Sequence, residues 1–300
     1  MEIGKNTSMN KQGVNEMSSL FKRDLKKHWY IKYNNNGYPH IQQGFVLPPN
    51  RFEEFDPFLI MAEDWYKRGA FPDHPHRGFQ TITYVIDGRL EHIDNHGGNS
   101  ILEAGDIQYM NAGSGARHAE EPVDQDIAHT LQLWLNLPSS LKNTKTSYQN
   151  VYIEDVPHVK IEGGELKVYS GDIAGVKGPM NSLVPITMTE ISLAKGMTYK
   201  HILPENHNGF VYVLSGEVEL GESKTPLKKT GAGTLTFNEN GKNESEFEIS
   251  ANSRSKLLVY SGVPLREEIV AYGPFVMNSM EEIQQAYRDY HAGKFGPPAE

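Results

Sequence analysis

No cysteine occurs among the 300 residues. Disulfides, thiolate metal sites and cysteine nucleophiles are thereby excluded, so histidine and carboxylate must do any metal binding. Also absent is a run of about 18 apolar residues, and the N-terminus lacks the apolar core of a secretory leader. Neither a membrane span nor a signal peptide is expected, and the chain reads as a soluble cytoplasmic protein. Positive charge is in the minority, 29 Lys and Arg against 38 Asp and Glu, for a net charge of −9. A grip on a phosphate backbone needs clustered Lys and Arg, so no direct nucleic-acid partner is expected. Long helical runs of Ala, Leu, Glu and Lys are scarce. Glycine (28), proline (17) and tyrosine (15) are plentiful, the composition of an all-β chain with many turns.

Against that background two segments stand out. Asp73-His74-Pro75-His76-Arg77-Gly78 and Arg117-His118-Ala119-Glu120 hold three imidazoles and a carboxylate in two alternating pairs. On a strand, residues i and i+2 share a face. His74 with His76, and His118 with Glu120, can each offer two donors to one ion, and two such strands facing each other close a four-ligand site. Three nitrogens and one oxygen suit iron, manganese, nickel, copper or zinc, and spacing does not choose among them. Glu121 lacks the parity of His118 and is expected in solvent. Glu91, His92, Asp94 and His96 form another polar cluster, read as a solvent-exposed strand end because no partner pair is evident. His129 reads as a structural histidine. Gln132 alternates with Leu131 and Leu133, so either it or the leucines face the interior, where a polar side chain would orient a ligand. Gly113-Ser114-Gly115 lacks the Lys-Ser/Thr of a phosphate loop and reads as the turn that carries His118 inward.

Residues 1–38, rich in Asn, Ser and Lys, read as a flexible N-terminal arm. Within it Ser18 to Lys27 has the pattern of a short serine-capped basic helix. Beyond, short apolar runs alternate with turn signals. Phe79 to Ile86, Asp87-Gly88 and Leu90 to Ile93 predict a hairpin. Ile107 to Met110 and Thr130 to Leu137 are further strands, and strands at this spacing make a sandwich or barrel. The chain also repeats itself. Tyr84-Val85-Ile86-Asp87-Gly88 matches Tyr212-Val213-Leu214-Ser215-Gly216, and Ala104-Gly105-Asp106-Ile107 matches Ala232-Gly233-Thr234-Leu235, both at an offset of 128 residues. Two similar β-domains follow, over 39–150 and 151–270, with a tail over 271–300 in which Glu281 to Tyr290 has helical spacing. Carried forward by 128 residues, the metal positions fall on Ile202, Pro204, Glu246 and Glu248. His201 and His207 lie nearby without reproducing the pair, so one metal per chain is expected.

Phe71-Pro72-Asp73-His74-Pro75-His76-Arg77-Gly78-Phe79, Gly105-Asp106-Ile107-Gln108, Ala112-Gly113-Ser114-Gly115, His118-Ala119-Glu120 and Gln132-Leu133-Trp134-Leu135-Asn136-Leu137-Pro138 resemble the signature blocks of the pirins, a branch of the cupin superfamily. Gly273-Pro274-Phe275-Val276-Met277-Asn278 and Gly293-Lys294-Phe295-Gly296 are similar to the pirin tail. Over roughly residues 40–296 the resemblance implies two tandem cupin (double-stranded β-helix, jelly-roll) barrels and a short C-terminal helix. It further implies one iron in the first barrel, on His74, His76, His118 and Glu120. Gln80, Tyr109 and Asn111 depart from the usual Glu, Trp and Thr, which implies altered polarity around the pocket. Two functions come with the resemblance. One is a quercetin 2,3-dioxygenase taking a flavonol and dioxygen, with Glu120 as the base. The other is a redox-sensing regulator that binds a transcription factor or metabolic enzyme. A monomer is expected.

Overall fold

A computed structural model describes residues 20–35, 37, 39–95 and 98–299. The strand alternation read from sequence governs its architecture. In strand Ala128–Asn136, Leu131, Leu133 and Leu135 are wholly buried, while Thr130, Gln132 and Trp134 on the other face are buried or half-buried. An antiparallel strand of this polarity ordinarily turns its polar face to water. Here neither face meets water, because the strand stands in a sheet between two interiors.

That sheet has seven strands, in the order Ser147–Val151, Ile107–Asn111, Phe79–Asp87, Ala128–Asn136, Phe58–Tyr66, Ile41–Leu47 and Tyr33–Asn34. Across the first barrel it faces four strands, His74–His76, Ala116–Pro122, Leu90–Asp94 and Asn99–Leu102. A second seven-stranded sheet runs His158–Ile161, Gly164–Ser170, Ile186–Leu193, Ser255–Gly262, Asn208–Ser215, Gly231–Leu235 and Leu25–Tyr30. It closes the second barrel with a sheet that includes Thr198–Pro204 and Glu244–Ala251. The largest apolar cluster lies between the two seven-stranded sheets. Ile82, Leu131 and Leu133 of the first pack there with Met188, Phe210 and Tyr260 of the second. Two polar bridges cross the same interface. The Tyr84 hydroxyl donates to Glu190 at 2.5 Å, and the hydroxyls of Tyr33 and Tyr212 both reach Glu63. The interior of the second barrel is apolar, with Val211, Val213, Leu257 and Val259 on the inward faces.

The N-terminal segment differs from expectation. Residues 1–19 lie outside the described residues, but from Phe21 the segment is neither an arm nor a basic helix. Phe21–Lys22 pairs in parallel with Ser245 and Glu246, and Leu25–Tyr30 pairs antiparallel with Gly231–Leu235. The chain therefore completes the second barrel before it enters the first through Tyr33–Asn34. Arg23 secures this start. Its guanidinium, 1% exposed, donates to Ser245 Oγ at 2.7 Å and to the carbonyls of Pro204, Glu205, His207 and Thr236. The basic residues that suggested a solvated helix include the cation that anchors a strand.

The tail returns to the first barrel. Helix Met280–His291 begins with Ser279 and Glu282 in a capping box, which satisfies two otherwise unpaired N-terminal amides. Asp289 of the helix meets Arg77 at 2.9 Å, and Phe295 lies beneath the Arg77 guanidinium. Gly78 follows at φ +86°, where a Cβ would come within 2.0 Å of the Val276 carbonyl. Glycine there lets the strand bearing His76 lie against the tail.

Candidate metal centre

Three of the four predicted residues meet: His74, His76 and His118 form one donor group, while Glu120 groups with His118 and with His92. His74 is the antiparallel register partner of His118, and Ala116 that of His76. The three ring centroids are 4.4 to 5.0 Å apart, and one ligand atom from each ring lies within 4.8 Å of the others. His76, His118 and Glu120 are almost wholly buried and His74 partly so. Burial lowers the pKa of His74, and those of His76 and His118 fall well below the ordinary imidazole value for the same cause. Uncharged rings keep the lone pairs that a metal needs. His74 Nδ1 lies 2.8 Å from the Pro72 carbonyl, which can only accept; the ring's Nδ1–H donates and Nε2 is left for an ion. Both nitrogens of His118 are buried with no hydrogen-bond partner. A fully buried imidazole without a partner is costly in a protein interior and is met by metal coordination. The residues thus fit a divalent metal ion.

Glu120 is held from behind. Its two oxygens accept from the Thr83 hydroxyl at 2.7 Å and from the Gln132 amide, which in turn accepts from Trp134 Nε1 at 3.3 Å. Burial pushes its pKa up to about 7, against the opposing pull of those two hydrogen bonds. Gln132 rather than the leucines therefore faces the barrel interior, and its oxygen and nitrogen are fixed by the indole on one side and Glu120 on the other. The Trp134 ring also rests on His76 and Phe79.

Several readings are corrected. The cluster expected at a solvent-exposed strand end turns inward: His92 is 1% exposed, sits opposite Glu120 in register, and has its ring 5.2 Å from that of His118. Asp94 is buried on the same face, Glu91 points out to Arg68, and His96 lies outside the described residues. The signal was available, since His92 shares parity with Leu90, an obvious core residue. Glu121 is not in solvent but accepts from the Gly69 amide at 2.6 Å. His129 is structural, stacked on Trp65 and bonded to Glu63 at 2.8 Å. Gln80 and Tyr109 do not alter the pocket. They lie on the other face of the sheet, where the Tyr109 hydroxyl donates to Gln80 at 2.7 Å beside Leu183. Asn111 ties down the neighbouring turn through the Lys145 carbonyl.

In the second barrel the residues projected as counterparts are one position out of step. Ile202, Pro204, Glu246 and Glu248 lie on the outer face, where Glu246 pairs with Lys22 and Lys200. A shift of one residue exchanges the faces of a strand. The inward positions hold His201, Leu203, Ser245 and Phe247. His201 has its Nε2 3.4 Å from the Thr189 hydroxyl, and its pKa is lowered to about 3 by burial and, less, by the charge of Arg23.

A mostly apolar cleft of about 480 Å³ adjoins the first barrel, lined by Ile41, Gln43, Ala70, Phe71 and Pro72 among others. The Phe71 carbonyl accepts the Glu120 main-chain amide, and the Pro72 carbonyl accepts from the His74 ring. Gln43 donates to Asp64 at 2.8 Å, and Asp64 is 3% exposed. Burial, reinforced by the charges of Glu120 and Glu63, raises Asp64 to about 7. This folded value lies above the unfolded one, about 3.9. The stability it contributes is present below pH 4 and is lost as pH rises through 7. Asp64→Asn keeps the acceptor for Gln43 and cannot ionise. In metal-free protein it is expected to unfold later than the parent at pH 8, by on the order of 2–4 kcal/mol, and together with it near pH 4. Urea titrations at the two pH values measure the difference.

Two tandem β-barrels, with two overlapping groups of candidate metal donors inside the first, define a cupin. The chain belongs to the pirin family: the Pirin description of that family matches residues 44–135, and its Pirin C-terminal cupin domain matches residues 188–296. Human Pirin is 36% identical over 246 residues, spanning 81% of this chain and 84% of its own length. A Geobacillus kaustophilus protein of known structure superimposes with a TM-score of 0.80 at 40% identity, covering 83% of this chain and 99% of that one. A structure named quercetin 2,3-dioxygenase from Acinetobacter baumannii superimposes with a TM-score of 0.78 at 31% identity, covering 92% and 99%.

Proposed function

We propose that His74, His76, His118 and Glu120 hold one iron per chain, and that the protein is a non-haem iron dioxygenase opening the ring of a flavonol such as quercetin. The observation that carries this reading is a cluster of three imidazoles, one of which, His118, also lies in donor reach of a carboxylate held by Thr83 and Gln132. The apolar cleft beside Phe71 and Pro72 suits a flat aromatic substrate, and the Acinetobacter relative bears the name of this activity. Bound iron would supply a seat for two adjacent substrate oxygens and a path for electrons to dioxygen. Glu120 accepts the proton of the flavonol 3-hydroxyl, and Thr83 and Gln132 keep its carboxylate turned toward that hydroxyl. Trp134 and Phe79 exclude water from the side of His76. The ring then opens with incorporation of dioxygen and release of carbon monoxide.

Anaerobic loading of the purified chain with ferrous iron, followed by quercetin and oxygen, tests the reading. Loss of flavonol absorbance with release of carbon monoxide is expected. No turnover at full iron content sinks the dioxygenase and leaves a second reading in front, an iron-dependent redox-sensing regulator that binds a transcription factor or metabolic enzyme. One contact favours that second reading. Arg77, next to ligand His76, exchanges backbone bonds with Pro274 and Val276 and pairs with Asp289 of the tail helix. A change at the metal strand therefore has a direct route to the surface.

A further inference from the structure

The first barrel contains two groups of donors, and they share a residue. His74, His76 and His118 form one, while His92, His118 and Glu120 form the other, each with its ligand atoms within 4.8 Å of one another. Glu120 and His92 face each other across the sheet. Both oxygens of Glu120 already accept hydrogen bonds, from Thr83 and Gln132. By contrast, neither nitrogen of His92 has a hydrogen-bond partner, although the side chain is 1% exposed. A buried imidazole with two idle nitrogens costs stability unless something uses it. The strand pattern supports a placed side chain: Leu90, His92 and Asp94 all turn inward, whereas Glu91 turns out. Tyr148 and His118 pack against the ring and fix its position.

We propose that His92 is a reserve donor for the metal ion, interchangeable with Glu120, so that the ion is held by three imidazoles and a carboxylate or by four imidazoles. The inference rests on the four-residue site proposed above. Its consequence lies in the base role of Glu120. A carboxylate that takes up a substrate proton weakens as a ligand, and a neighbouring imidazole keeps the ion at four donors while it does so. The all-imidazole set also favours copper and nickel over manganese, relative to the set that includes Glu120.

Copper(II) alone, titrated into metal-free full-length protein, reads this directly, because pulsed EPR counts coordinated imidazoles. The parent chain is expected to show three, and Glu120→Ala four, with affinity within about 100-fold of the parent. The double variant Glu120→Ala/His92→Phe is expected to return to three and to lose at least a further tenfold in affinity. Three imidazoles in Glu120→Ala, or equal affinities for the single and double variants, overturns the proposal. If the double variant does not fold, as judged by circular dichroism, the imidazole count of Glu120→Ala decides alone. Three imidazoles in both the parent and Glu120→Ala leaves the four-residue site standing and removes only His92. A parent chain that binds no copper removes both.

Discussion

Arg23→Met is expected to cost the fold about 3–5 kcal/mol, the range for removing one partner from a buried charged network. The guanidinium is almost fully enclosed and makes five hydrogen bonds, four of them to main-chain carbonyls of the second barrel. Methionine fills much of the same space but leaves those acceptors unpaired, at about 1–3 kcal/mol for each group that water cannot reach. Arg23→Lys is expected to recover little. An ammonium has three donors about one point and cannot span acceptors arranged around a planar fork. Burial already lowers Arg23 to about 10, the penalty that the five bonds offset. Equilibrium unfolding in urea measures the loss. A cost below about 1 kcal/mol would mean that the N-terminal strands hold to the second barrel by their backbone pairing alone.

His118→Ala is expected to abolish stoichiometric metal binding while leaving the fold in place. His118 belongs to both donor groups, so without it neither group keeps three ligand atoms within 4.8 Å of one another. If a four-ligand site binds its ion with about 10–16 kcal/mol, a quarter share is about 2.5–4 kcal/mol, or roughly 60- to 700-fold in affinity. The unfolding temperature provides the readout. An ion at 100 times its dissociation constant stabilises the folded parent by about 2.7 kcal/mol. The same concentration given to His118→Ala is expected to add almost nothing. An equal shift in both proteins would place the ion elsewhere.

Much of this site could be read in the sequence because period-two alternation is a strict rule. Parity alone selects His74, His76 and His118, and strand pairing sets His118 opposite His74, while Glu120 on the same strand stands opposite His92. The same rule failed where it was applied without a reference residue. His92 was assigned to solvent because no partner pair was visible, yet Leu90 two positions earlier fixes its face inward. The second-barrel projection failed by one residue because an offset taken from Tyr84 and Tyr212 does not hold at strand Thr198–Pro204, where His201 and Leu203 turn inward. Gln80 and Tyr109 are linked to the pocket by the family resemblance, but their parity is that of Ile82 and Ile107, and they serve the interface between sheets. The N-terminal segment was illegible for another reason. Leu25–Tyr30 is an edge strand with mostly exposed polar side chains, and its pairing with Gly231–Leu235 is set by backbone bonds and by Arg23 rather than by a hydrophobic pattern.

Anomalous scattering from crystals of the iron-loaded chain tests the central claim most directly. One peak per chain is expected, within coordination distance of the rings of His74, His76 and His118, with no peak beside His201 in the second barrel. A peak in the second barrel or at the protein surface, with none among these three histidines, would contradict the account.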